Sequence, residues 1–175
     1  MGSVYTSRVS QKLAFARMHL HLWQQAEETG ATQSLAIVQS FRESTLFHAV
    51  GAYSAFLQEI AHFYQLKADA SITLEELELQ LTTKSRVSPE VIEIQNILNI
   101  KDGWLAELLI HYQECLTIRE VVEKKPADVT KEVAIPVMML DEQDEPPLAS
   151  DMCDYYLSNL REFINRLRES TMSEW

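Results

Sequence analysis

Glycine occurs four times and proline five times in 175 residues, so the turn-dense pattern of a β-sandwich or barrel has little material to be built from. Cysteine is scarcer still. Cys115 and Cys153 sit in apolar helical patterns with no CxxC spacing, which removes a disulfide framework and a thiolate zinc site and leaves two reduced thiols packed as small hydrophobes. Long apolar runs are missing as well: the longest uncharged stretch, Ser44 to Gln58, falls short of the about 20 residues that cross a bilayer. The N-terminal stretch spreads Arg8, Lys12 and Arg17 through an amphipathic pattern, without the apolar run or cleavage site of a secretory signal. A cytoplasmic protein with no membrane association is the expectation. Gly-rich phosphate loops and a serine in a nucleophile-elbow context are also absent.

Positive charge is the other scarcity. Fifteen Lys and Arg stand against 26 Asp and Glu, a net charge of −11. Residues 1–66 balance, with Arg8, Lys12, Arg17 and Arg42 against Glu27, Glu28, Glu43 and Glu59, so the rest of the chain carries the whole imbalance. Phosphate-backbone binding needs clustered cations that release counterions, and an acidic outer half therefore argues against a nucleic-acid partner.

What remains is helix-forming sequence, rich in Leu, Ala, Glu and Gln. Val9, Leu13, Ala16, Leu20 and Trp23 give a stripe at steps of four and three, predicting a helix from about Tyr5 to Thr29 ended by Gly30. A second helix is predicted after Thr32, running as far as Leu66, with Gly51 marking a kink or a close helix contact. From Phe41 to Tyr64 its apolar residues wrap nearly the whole circumference, so residues 34 to 66 are expected to be the buried centre of a bundle. Thr73-Leu74-Glu75-Glu76 is a capping box opening a short helix, and Ser88-Pro89-Glu90 opens another. Asp102 is expected to cap a long helix from Gly103 to Lys125, and Ser150 to cap a final helix bearing Met152, Tyr156, Leu160, Phe163, Ile164 and Leu167. Residues 126–149 read as a long Pro-rich, acidic connection whose Val137 to Leu140 run should pack on the bundle. The fold expected is all-α: one domain over 1–175, a helical bundle of three or four long helices plus two short ones around a central buried helix.

Few polar residues interrupt the central helix, and they are the candidates for chemistry. Glu59-Ile60-Ala61-His62 has the Glu-x-x-His spacing of di-metal bundles, but only once; Glu107, His111 and Glu114, spaced by four and three on the later long helix, would complete a transition-metal set if the two faces met. The plainer reading has His62 and His111 singly hydrogen-bonded at the core edge. His19 and His21, two apart, point to different sides and read as surface or edge residues.

Arg42-Glu43-Ser44-Thr45-Leu46-Phe47-His48 resembles the Arg, polar residue, four-spacer, His pattern of HEPN ribonucleases, which implies cleavage of RNA at a dimer interface by Arg42 and His48, with Glu43, the polar residue of the pattern, as a further candidate. Continuous helix would set Arg42 and His48 about 120° apart, so they would converge only at a kink. Gln11 to Arg17, Phe41-Arg42-Glu43 with Leu46-Phe47-His48, Gly51-Ala52-Tyr53, Glu59-Ile60-Ala61 with Phe63-Tyr64, Trp104-Leu105 and Ser173-Glu174-Trp175 together resemble an uncharacterised family of small gammaproteobacterial proteins. That resemblance implies a bacterial cytoplasmic source and assigns no activity. The function expected is a non-catalytic interaction or assembly protein, with a protein partner or homodimer formed through an apolar helix face or Val133 to Leu140; no cofactor is expected. A metal-dependent or HEPN-like enzyme is the alternative.

Overall fold

In the computed structural model of the chain, which describes residues 4–29, 34–117 and 148–172, every described element is helical. Helices α1 (Val4–Thr29) and α2 (Ser34–Phe63) are followed by the short α3 (Leu74–Thr83) and α4 (Pro89–Leu98), then α5 (Trp104–Leu116) and α6 (Ser150–Leu167), which runs into a π-helical turn at Arg168–Met172. Cross-helix pairs fix the directions. Thr6 meets Glu59 and Lys12 meets His48, so α1 and α2 are antiparallel. Glu27 meets Ser150 and Glu59 meets Arg168, so α6 runs against α1 and alongside α2. Trp104 packs on Phe163 and His111 on Tyr156, so α5 opposes α6. The four longer helices form an up-down-up-down bundle, and α3 and α4 cross the end where α2 and α6 finish: Tyr64 bonds Glu90, and Arg166 pairs with Glu93.

The centre of the bundle is α2 between Thr45 and Ala61, where Leu46, Ala49, Ala52, Phe56, Ile60 and Ala61 are essentially inaccessible. Trp23 and Leu20 from α1, Leu105 and Leu108 from α5, and Leu160 and Ile164 from α6 close around it. Each fully buried Leu, Ile or Phe contributes about 1.5–3 kcal/mol relative to exposure. The buried rod is shorter than the sequence suggests. Leu35 and Ile37 are 66% and 45% exposed, on the side of the first turns of α2 turned away from the core, while Val38 packs against it.

Glycine scarcity shows in how the helices stop. α2 ends at Phe63 instead of Leu66: Gln65 turns left-handed at φ 54°, and the Leu66 N–H reaches back to the Ala61 carbonyl at 2.8 Å. The same device closes α3, with Ser85 at φ 52° and the Arg86 N–H on the Leu81 carbonyl at 2.9 Å. Asp102 takes φ 55° ahead of α5, so Gly103 stands at the N-cap in place of the aspartate, without a side-chain cap. Left-handed backbone costs an L-residue roughly 1–2 kcal/mol, offset here by the carbonyls these turns satisfy.

Thr73 and Glu76 form the predicted capping box, and the Ser88 hydroxyl accepts from the Val91 N–H behind Pro89. Two other starts and stops differ. α5 ends at Leu116, where Thr117 turns extended at ψ 128°, well before the expected Lys125. α6 is preceded by Ala149 as N-cap; Ser150 is its first residue, and its hydroxyl instead donates to Glu27 at 2.7 Å. Gly30, Thr32, the Val133 to Leu140 run and most of the acidic connection lie outside the described residues.

Candidate functional site

His48, on the central helix, lies in a cluster of other chemically active side chains. On α1, Lys12, Phe15 and His19 recur at steps of three and four and so share a face. That face meets α2 at Phe41, Phe47, His48 and Gly51. The His48 ring stacks on His19 at 5.2 Å and meets Phe15 and Phe47 edge-on, each at 5.3 Å. The Lys12 stem crosses Gly51 so closely that a Cβ there would stand 3.3 Å from Cδ and Cε. Gly51 therefore marks a close contact, as expected, while α2 passes through it unbroken.

The Lys12 ammonium ends 3.4 Å from His48 Nδ1 and 4.8 Å from the centre of the Phe47 ring. Burial holds the His48 pKa below the usual histidine value, and the charges of Lys12, His19 and Arg8 push the same way. Lys12 is lowered too, by burial first and by Arg8 second. With His48 neutral, the ammonium donates to Nδ1 and the ring proton sits on Nε2. This is the reverse of a catalytic histidine, whose Nδ1 is oriented by a carboxylate that raises its basicity. The cluster is suited to binding: it is cationic, walled by aromatic rings and open to solvent, with Phe15 37% and Phe47 53% exposed.

The other residues of the HEPN-like pattern do not join it. α2 is continuous through Arg42 and His48, so the about 120° between them stands. Arg42 is half-buried with no partner at Nε among the described residues, and Glu43 accepts from Gln39 at 3.0 Å.

The metal candidates fall in two separate places. Glu59 is buried and held by Arg168, whose Nε lies 3.0 Å from Oε1 and Nη2 2.6 Å from Oε2, while the Thr6 hydroxyl donates to Oε1 at 2.9 Å. His62, exposed, packs on the Tyr5 ring at 4.8 Å. On α5, Glu107, His111 and Glu114 come together as their spacing predicts. Glu114 approaches Nδ1 at 3.1 Å and Glu107 approaches Nε2 at 3.9 Å, on opposite edges of the ring, so the donors do not converge on one point. Among the described residues no three His, Cys, Asp or Glu side chains are placed to hold a metal ion.

Sequence reasoning missed Lys12, Phe15 and His19 as partners of His48; of the pair read as surface or edge residues, His19 is half-buried at the edge and His21 lies exposed, against Gln25. The signal was the shared face of residues 12, 15 and 19, which acquires meaning only once the register of α1 on α2 is known. Cys153 is buried and Cys115 half-buried, the Cys115 thiol donating to the His111 carbonyl at 3.3 Å, and burial pushes the Cys153 thiol up to about 12, with Asp154 adding to it.

An all-helical bundle with a cationic, aromatic outer face and no described helix long and apolar enough to cross a membrane is what the geometry defines. The chain belongs to the family of unknown function DUF6586, whose model matches residues 1–175. No curated protein and no solved structure matches it.

Proposed function

We propose that this protein is a non-catalytic cytoplasmic interaction protein that engages an acidic protein partner through the outer face of the α1–α2 hairpin. The observation that carries this is the row of exposed apolar side chains there: Phe15 at 37%, Met18 at 62% and Leu22 at 39% on α1, and Phe47 at 53% on α2. Water-exposed aromatic and methionine side chains in one patch cost solvation that a partner would recover. The cations in the patch select the partner. A second copy docked face to face would bring Lys12 and Arg8 near their own equivalents, whereas an acidic surface would neutralise them.

Photo-crosslinking in cells, with the reactive group at position 18 or 47 and a control at Glu162 on α6, tests this reading. Adducts with one acidic protein, specific to the α1–α2 positions, are expected, together with a monomer mass for the purified chain by light scattering. Adducts only with itself, or equal labelling from position 162, would refute it. Metal analysis of the purified protein addresses the enzyme alternative.

A further inference from the structure

On the side of α1 turned away from His48, an open groove of about 370 Å³ runs between α1 and α6. Leu13, Ala14 and Leu157 form its floor, and Arg17, Arg161, Asn165 and Arg168 line its walls. Two helix faces build it. Leu13, Ala14 and Arg17 share one face of α1, while Leu157, Arg161, Asn165 and Arg168 follow at steps of four, four and three along α6 and its terminal turn. Ala14 supplies the depth, because a larger side chain at that position would fill the floor.

The charges do not cancel. Arg17 is paired with Asp154, and Arg168 commits Nε and Nη2 to Glu59 while its Nη1 bonds to none of the described residues. Arg161, exposed on the wall, makes no hydrogen bond or ion pair with a described residue. Three guanidiniums thus face two carboxylates in a chain whose net charge is −11. A local cationic surplus over an apolar floor is an unusual surface for so acidic a protein.

We propose that this groove binds a small phosphate monoester with an apolar body. The phosphate lies between the Arg161 guanidinium, the Asn165 amide and the uncommitted Nη1 of Arg168, and the apolar body rests on Leu13, Ala14 and Leu157. Guanidinium forks match phosphate oxygens, and donors arriving from separate helical turns suit a tetrahedral group with three terminal oxygens better than a planar carboxylate. The volume falls within the range of about 300–1,000 Å³ typical of small-molecule sites. This site is separate from the proposed partner face, so either can fail without the other.

The test titrates the full chain with phenyl phosphate and with inorganic phosphate, followed by calorimetry and amide chemical shifts. Saturable binding is expected, tighter for phenyl phosphate, with shifts confined to α1 and α6. Arg161→Gln should weaken phenyl phosphate about tenfold, the equivalent of about 1.4 kcal/mol. Ala14→Leu should abolish that binding, and Lys101→Gln, which removes an exposed charge elsewhere, should leave it unchanged. Arg161 and Ala14 are both exposed, so melting temperatures should hold; if Ala14→Leu nonetheless unfolds the chain, Arg161→Gln decides alone. Absence of saturation, equal affinity for the two probes, or equal weakening by Lys101→Gln would overturn the proposal.

Discussion

Arg168 grips Glu59 through two parallel hydrogen bonds, Nε to Oε1 at 3.0 Å and Nη2 to Oε2 at 2.6 Å, across 109 residues of chain. The Glu59 side chain is only 7% exposed and the Arg168 side chain 19%. Removing one member strands the other as a buried, unpaired charge, a loss of about 3–5 kcal/mol. Arg168→Ala should therefore lower the urea midpoint far more than Glu162→Ala, at an exposed position of α6. Replacing both Glu59 and Arg168 by Met should cost less than Arg168→Ala alone, since no orphan charge remains; equilibrium unfolding of the variants decides.

Gly51→Ala should stabilise the chain while disturbing the His48 cluster. Alanine in mid-helix gains about 0.5–1 kcal/mol over glycine, and the only atoms its Cβ would crowd are the flexible end of Lys12, at 3.3 Å. Lys12 must give by a few tenths of an ångström, which loosens its contact with His48 Nδ1 and weakens one of the charges holding the His48 pKa down. The expected pair of results is a higher melting temperature and an upward move of the His48 titration measured by NMR. A destabilised variant would mean that Lys12 cannot yield.

Stability should fall in acid partly through His48. Its folded pKa lies below the ordinary value of 6.5, so as pH drops below 6.5 the unfolded chain takes up the proton first and is favoured. The loss begins near pH 6.5 and levels off below the folded pKa. His48→Gln should flatten this part of the stability profile between pH 7.5 and 5.5, and a slope unchanged from the parent would reject the assignment.

Purified protein is expected to carry no stoichiometric transition metal, because Glu59 is committed to Arg168 and the two carboxylates beside His111 approach opposite nitrogens. Elemental analysis checks this. A bound metal that disappears in a Glu59→Ala, His62→Ala variant would restore the metal-enzyme reading.

Glu90 is fully buried, and its Oε2 accepts from the Tyr64 hydroxyl at 2.8 Å and from Ser88 at 2.6 Å. Burial, chiefly, pushes the Tyr64 pKa up to about 12, so the phenol is a donor throughout the working range of pH. Glu90→Ala leaves two donors without an acceptor and should cost about 1–3 kcal/mol, whereas Glu90→Gln, which keeps an oxygen, should cost less. Urea unfolding of the two variants separates them.

Features set by neighbouring residues were legible in advance. Thr73 with Glu76 and Ser88 with Pro89 opened helices where expected, because a cap is completed within one turn. Helix ends were less so: with little glycine available, Gln65, Ser85 and Asp102 took the left-handed positions, and of the three only aspartate is a type that favours it. The two ends of the candidate site's logic also differ. His48 stood out as a polar break in an apolar helix, but its partners Lys12 and His19 come from α1, and their contact depends on a register that no local pattern encodes. The three arginines of the α1–α6 groove were invisible for the same reason.

The clasp on Glu59 brings Thr6, near one extremity of the described chain, onto the same oxygen that Arg168 holds near the other. The polypeptide is thereby buckled like a belt, with the central helix as the tongue. Trimming either arm past its contact would loosen the other as well, so the bundle cannot be shortened from one side independently.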